Sequence, residues 1–458
     1  MERLTGADLA MLWPDDLGWP QDFGALAILD GEALSDPTAD FARRDLQERI
    51  ASRLHLVPRF RRCLHRPGFG LGWPYWADDP SFDIARHVRF HQLSAPGNEA
   101  QLLEACEMLR QRPFDMSHPL WEFWFLIGLS DGRVGMYMRV HHTLADGAAG
   151  MAALSAFFDP TPNPTAPVAS PWTPSPAPTR VDLITDNLRR RWNRLRHGLE
   201  SLRHPSEVFN SLRLAVTAIR RILREARAPR TSLNRLIGDR RRFRLVRSEL
   251  GVFRQIAHSA GGTVNDVLLH VVAGGVADLL ISRGEPIDEL LPRAVVPMAG
   301  GLDTESGNNT VSGMIVPLPI GETDPFRRLQ RIASETALRK SDPLSYDQAG
   351  ILSSPTLERV SAWLAGRQRV SNLYVANLPG PPMRFFLGPA RIHELFPLVP
   401  LVGNVTIGVG AVSYAGQFNL TIVADHDACP DVGVFVNGIR RSLDELAGAL
   451  SPGGGDDG

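Results

Sequence analysis

Apolar positions over the first 158 residues recur in two rhythms. Ala25-Leu26-Ala27-Ile28-Leu29 is an unbroken run that stops at Asp30-Gly31, the pattern of a buried strand closed by a turn. Trp124 to Ile127 predicts a second strand, and Gly135 to His142 a third, after the turn at Asp131-Gly132. Within residues 99–112, Leu102, Leu103, Cys106 and Leu109 fall at helical spacing. Ala148 to Phe158 predicts another helix.

The pattern breaks at residues 159–179, where prolines recur every two to four positions. Proline fixes φ and removes a donor, so this stretch is an extended linker and the clearest boundary in the chain. Residues 180–230 are helical in pattern and basic, with 13 arginines against 5 acids. Two readings stand side by side: a solvated helical bridge, or a peripheral anchor attracted to anionic lipid or to the phosphates of a ligand. From 231 to 452 the mixture returns. Helices are predicted over Glu249–Ala260, Thr263–Leu280, Pro325–Arg339 and Asp431–Leu450. Strands are predicted over Met314–Pro319, Val370–Ala376 and Phe418–Ala424. The fold class is therefore α/β (α+β). Its organisation is an N-terminal domain over 1–158, a linker and basic bridge over 159–230, a second domain over 231–452, and a disordered tail over 453–458. Two domains also suit the length, because single cores stop growing near about 250–300 residues, and the chain has 458.

Composition narrows the function classes. The net charge is −1, which gives no argument for nucleic-acid binding, and no nucleic-acid fold signature is present. Lys340 is the one lysine, so nearly all positive charge is arginine, a bias that points to GC-rich, bacterial coding. Cys63, Cys106 and Cys429 are few and widely spaced, with no metal-binding pattern, which suits a reducing cytoplasm. No signal-peptide pattern and no apolar run of membrane-spanning length is read, while a peripheral membrane role stays open. Gly68 to Gly72 and Gly408-Val409-Gly410 resemble fragments of dinucleotide fingerprints but lack the full spacing, and are assigned to turns.

The chemistry concentrates in His141-His142-Thr143-Leu144-Ala145-Asp146-Gly147, at the end of a predicted strand. Neighbouring side chains on a strand face opposite ways, so only one histidine faces a given cavity. That argues against joint metal chelation and for one catalytic and one structural histidine. Asp146 is placed to turn back and organise the loop, and Gly147 permits backbone geometries other residues resist. Histidine suits proton transfer because its ordinary pKa lies near operating pH. No Gly-x-Ser-x-Gly elbow appears, so direct attack by an acceptor hydroxyl is the simpler mechanism.

The HHxxxDG pattern is the signature of acyltransferases related to chloramphenicol acetyltransferase and to peptide-synthetase condensation domains. Among these the chain resembles the bacterial wax ester synthase/acyl-CoA:diacylglycerol acyltransferase family along almost its whole length. The supporting segments occur in order: Leu4-Thr5-Gly6-Ala7-Asp8, Val57 to Arg61, Trp76 to Asp83 with His87, Pro119-Leu120-Trp121 with Gly128, Pro229 to Asn234, Thr263 to Val267, Gly307-Asn308-Asn309, and Asn377 to Pro381. Departures at Val296 to Gly301 and at Asn377-Leu378-Pro379-Gly380 bear on acceptor choice and rate.

The resemblance implies two chloramphenicol-acetyltransferase-like domains with an active-site tunnel between them. It implies His142 as general base, His141 and Asp146 shaping its loop, and Gly147 beside the reacting centre. Asn265 and Asp266 match a family motif near the site, although Thr263 and Asn265 are also good helix N-cap residues. It further implies long-chain acyl-CoA as co-substrate, with no cofactor or metal, and diacylglycerol or a fatty alcohol as acceptor. The expected location is cytoplasmic, peripherally on the inner face of the plasma membrane or on lipid droplets. The alternatives are a condensation-type acyltransferase using another carrier or acceptor, and an inactive lipid-binding protein.

Overall fold

The computed structural model describes residues 2–34, 40–68, 70–144, 150, 153–162, 172–201, 227–298, 312–340, 344–345 and 366–450. Within them lie three sheets. A small antiparallel sheet orders β1 (Glu2–Arg3), β4 (Tyr75–Asp78) and β3 (Arg62–His65). A six-stranded sheet orders β13 (Phe386–Leu387), β14 (Ala390–Leu398), β2 (Asp22–Leu29), β7 (Val134–His141), β6 (Trp121–Ile127) and β5 (Val88–Gln92). A seven-stranded sheet orders β11 (Leu344–Ser345), β10 (Ser312–Pro317), β9 (Arg293–Met298), β12 (Leu373–Leu378), β15 (Ile407–Tyr414), β16 (Gln417–Asp425) and β8 (Arg241–Val246).

The helices of the first half are α1 (Gly6–Asp16), α2 (Asp40–Arg53), α3 (Ile84–His87) and α4 (Glu99–Arg110). After the linker come α5 (Arg180–Ser201), α6 (Leu250–Ser259), α7 (Val264–Ser282), α8 (Pro325–Lys340) and α9 (Val432–Leu450). Of the helix predicted over 148–158, residues 150 and 153–155 are helical, while 202–226 of the bridge and the tail lie outside the described residues.

β2 explains why its sequence is an unbroken apolar run. Ala25, Ala27 and Leu29 enter the core of the first domain with Trp121, Phe123, Phe125 and Met138. Leu26 and Ile28 enter another cluster with Phe396 and Leu398 of β14 and Phe243 and Leu245 of β8. A strand buried on both faces cannot alternate apolar with polar.

This second cluster joins the two halves of the chain. β14 comes from the segment assigned to the C-terminal domain, yet it pairs antiparallel with β2, Phe396 opposite Leu26. The first domain is thus completed by residues 386–398, so a boundary drawn along the sequence does not divide the sheets cleanly. A backbone tie reinforces the junction: Phe243 of β8 donates its N–H to Glu107 of α4 at 2.7 Å. Truncating the fully buried Phe396 should cost about 3–5 kcal/mol, enough to loosen the junction.

One reading from sequence is corrected. Gly408 and Gly410 lie inside β15, where Val409 and Ala411 fill the core of the second domain. Glycine is needed there because added Cβ atoms would sit 3.0–3.1 Å from Leu401 and Val399 at Gly408, and 3.0 Å from Val399 at Gly410. Close approach of a neighbouring segment, not a turn, accounts for both. By length and composition alone, α7 is long and apolar enough to cross a membrane. It is mostly buried inside the second domain, against α6, α8 and α9.

Candidate active site

The histidine segment emerges where β7 ends. β7 pairs with β2 throughout, placing His141 opposite Asp22. Both histidine amides are fixed: His141 donates its N–H to Leu120 O at 3.0 Å and His142 to Gln21 O at 2.9 Å. With the backbone held on both sides, strand alternation sends the two rings into different surroundings.

His141 is buried and bonded at both ring nitrogens. Its Nδ1 accepts from the Thr143 backbone N–H at 3.1 Å and faces Thr143 Oγ1 at 2.7 Å. Nε2 therefore carries the proton and points it at Asp15 Oδ2, 2.5 Å away. The other Asp15 oxygen accepts the Gln21 N–H at 2.7 Å, so one carboxylate at the C-terminal end of α1 ties both strands. Phe114 meets His141 edge-on at 6.3 Å, and Arg139 lies over Phe114 at 4.6 Å.

Beneath the pair sits a buried ion cluster. Asp22 accepts from Arg110 at 3.1 Å and from Arg139 at 3.2 Å. Arg139 also donates to the carbonyls of Leu109 at 2.8 Å and Arg112 at 3.1 Å. Burial pushes the Asp22 carboxyl up, but the two guanidinium groups outweigh it and hold it below the ordinary range.

His142 has a different environment. Its ring packs on Phe23 with centroids 4.6 Å apart and planes tilted by 40°. Among the described residues, no hydrogen bond to its ring nitrogens is found. Burial among protein atoms pushes its pKa down to about 4; His141 beside it adds to the effect, and the charge of Asp22 opposes it. The ring is therefore neutral near pH 7, with a lone pair to offer. The residue as a whole is half-buried.

Asp146 and Gly147 lie outside the described residues. Asn265 and Asp266 open α7, where their roles separate. Thr263 is the N-cap of a capping box. Asp266 Oδ2 accepts the Thr263 N–H at 2.7 Å and hydroxyl at 2.8 Å, and Oδ1 accepts from Thr336 of α8 at 2.6 Å. Its carboxylate is spent on the helix end. Asn265, by contrast, has a buried Nδ2 with no hydrogen-bond partner among the described residues. Among the described residues, no hydrogen bond joins either residue to the histidine segment.

His87 and Trp121 serve the scaffold. The His87 ring stacks between Phe82 and Trp121, at 5.2 and 4.6 Å, and its Nδ1 meets the Trp121 carbonyl at 2.9 Å. Trp121 donates its indole N–H to Phe60 O at 2.8 Å. The sequence reading missed Asp15, Gln21, Phe23 and Phe114 as neighbours of the histidines. Asp15 and Phe23 carry no local signal, because their partners lie over a hundred residues downstream.

Comparison with known proteins gives consistent matches. Residues 4–268 match the wax ester synthase/diacylglycerol acyltransferase catalytic domain, and residues 307–447 match the C-terminal domain of the same proteins. A Mycobacterium tuberculosis protein named as a candidate diacylglycerol O-acyltransferase is 30% identical over 98% of both chains. Another from the same species, bearing the same activity in its name, is 29% identical, covering 97% of this chain and 96% of its own. Among solved structures, the wax ester synthase/diacylglycerol acyltransferase from Marinobacter aquaeolei VT8 superposes with a TM-score of 0.70 at 22% identity, covering 97% of this chain and 100% of that one. The first condensation domain of the calcium-dependent antibiotic synthetase gives 0.59 at 16% identity, covering 98% and 96%. The fold is thus the two-domain chloramphenicol-acetyltransferase-like one.

Proposed function

Because the chain belongs to the wax ester synthase/diacylglycerol acyltransferase family, we propose that it transfers a long-chain acyl group from CoA to a diacylglycerol or a fatty alcohol. In this reading the acceptor hydroxyl docks against the His142 ring. His142 takes the hydroxyl proton as the oxygen attacks the thioester carbonyl, and a C–O bond forms. The tetrahedral oxyanion is held by backbone amides or by the Asn265 side-chain amide. The C–S bond then breaks, and the CoA thiolate leaves with the proton that His142 took. The products are an ester and CoA, with atoms and charge balanced.

The observation that carries the reading is the state of His142: neutral, packed on Phe23, and fixed at the end of a core strand inside a motif its family shares. A base must be unprotonated to begin, and burial keeps this ring so. His141 and Asp15 act as positioning groups, because they pin the backbone that carries His142. An acyl-CoA donor finds support in a structural neighbour, a starter condensation domain solved in complex with C8-CoA and Leu-SNAC. The same reading places the protein in the cytoplasm, against the inner membrane face or a lipid droplet, where a water-insoluble acceptor resides.

The test is product identification. Purified protein with palmitoyl-CoA and either dioleoylglycerol or hexadecanol should yield palmitoyl-dioleoylglycerol or hexadecyl palmitate, resolved by mass spectrometry. Ester formation with neither alcohol, from folded protein, would overturn the reading and favour another carrier or acceptor.

A further inference from the structure

Helix α5 is amphipathic in an inverted sense. Its polar side faces the protein. Leu183 is buried against Tyr75 and Ala77 of β4, Asp186 pairs with Arg3 of β1 at 2.8 Å, and Asn187 donates to Gly70 O at 2.8 Å. Its apolar side faces solvent: Val181, Ile184, Leu188, Trp192 and Leu195 are 67, 45, 59, 65 and 63% exposed. At 3.6 residues per turn these five fall within an arc of about 80°. Elsewhere the exposed large apolar residues among those described are scattered along the chain, which is ordinary for a protein surface. Five in one stripe on one helix are not.

Arginines flank the stripe on both sides. By the same helical geometry Arg189 and Arg196 border one edge, and Arg180 and Arg191 the other, all of them exposed. Asp182 and Asp186 are displaced toward the docked face, and Asp186 is occupied by Arg3 and Arg190. An apolar stripe with an interfacial tryptophan, bordered by cations with long apolar stems, fits a surface that is negative outside and apolar beneath.

We infer that the outer face of α5 is a docking surface for anionic lipid, inserting Leu188, Trp192 and Leu195 between headgroups while the flanking arginines pair with phosphates. The first domain holds the helix by Leu183, Asp186 and Asn187, so docking orients the whole enzyme on the bilayer. The inference deepens the acyltransferase reading by specifying where a water-insoluble acceptor would be met. It rests on that reading only for its purpose, since binding is measured without turnover.

The experiment is vesicle flotation of the full chain with phosphatidylcholine vesicles containing about 30% phosphatidylglycerol, against pure phosphatidylcholine. The parent should bind the anionic vesicles, with affinity falling as salt rises. L188E/W192E should lower binding at least tenfold, and R189Q/R191Q/R196Q should abolish the preference for anionic lipid. L338E, which alters an exposed apolar residue on α8, should bind as the parent does. CoA release with a short, soluble acyl-CoA and alcohol should be the same in all four, which separates failure of docking from failure of catalysis. Absence of parental binding, or L188E/W192E binding unchanged, would overturn the inference. So would a parent that is dimeric and a L188E/W192E variant that is monomeric with equal vesicle affinity, because a second copy would then cover the stripe.

Discussion

Asp15 and His141, 126 positions apart in the chain, meet at 2.5 Å through Oδ2 and Nε2. The contact fixes the tautomer of His141, since Nδ1 is already accepting from Thr143. It also fixes the chain direction at His142, the next residue. The histidine pair is thus divided into one ring bonded at both nitrogens and one with no hydrogen bond among the described residues.

Replacing Asp15 should therefore act through position. Asp15→Ala leaves two donors without acceptors, the His141 Nε2–H and the Gln21 N–H. Each such group costs about 1–3 kcal/mol, so thermal denaturation should show a large loss. Asp15→Asn keeps one of the two acceptor oxygens and should recover only part of the stability. In kinetics, Asp15→Ala should lower kcat more than it raises KM, with Asp15→Asn intermediate. Equal kcat in all three would remove Asp15 from the account.

Asn265 and Asp266 should separate cleanly. Asp266→Ala removes the capping box and the Thr336 bond, and should cost about 1–3 kcal/mol. Asn265→Ala removes an amide with no partner, so urea denaturation should shift little. If Asn265 donates to the oxyanion, kcat should fall by about 10²–10³. A stable Asn265→Ala variant with parental kcat would assign the oxyanion to backbone amides alone.

Gly150 places a steric limit beside the base. An added Cβ would lie 2.1 and 2.4 Å from two ring atoms of Phe23, and Phe23 supports the His142 ring. Gly150→Ala must displace that ring, and misplacement of a base by about 1 Å can cost 10²-fold in rate. The double variant G150A/F23L should regain part of the loss, because leucine vacates the clashing edge. No recovery would show that Gly150 acts through another contact.

The pH dependence follows from burial. With a pKa of about 4, His142 is unprotonated across the neutral range, so kcat/KM should be flat from about pH 8 to about 6 and fall only toward about 4. An acid limb centred at 6.5 would mean that the base is not so buried. Stability responds over a wider window. Burial pushes His87 to about 4 and His270 to about 3, below the ordinary 6.5. The unfolded chain takes up protons as pH falls through 6.5 while the fold does not, so stability is full above 6.5 and declines from there toward 4 and 3. At about 1.4 kcal/mol per unit, each site contributes up to about 3–5 kcal/mol, readable as a falling Tm below about pH 6.5.

Much of the scaffold was legible in the sequence because it is local. The runs at 25–29, 124–127 and 135–142 and the helices at 99–112, 263–280 and 431–450 declared themselves by period, and each is present within a few residues. β14 was illegible because Arg391, His393 and Glu394 interrupt its pattern, and its partner β2 lies at the other end of the chain. In the histidine segment, the alternation of His141 and His142 followed from strand geometry, but the choice of Asp15 as anchor did not. At Thr263-Val264-Asn265-Asp266 both Thr263 and Asn265 were eligible caps; the structure uses Thr263, which leaves the Asn265 amide unspent.

Whether His142 is the base of an acyl transfer to an alcohol is tested by CoA release from palmitoyl-CoA with and without alcohol, comparing the parent with His142→Ala. Acceptor-dependent release is expected in the parent, with a loss of about 10²–10⁴-fold in the variant and palmitoyl-CoA binding retained. Release by His142→Ala at a rate near that of the parent would contradict the role of His142 as base.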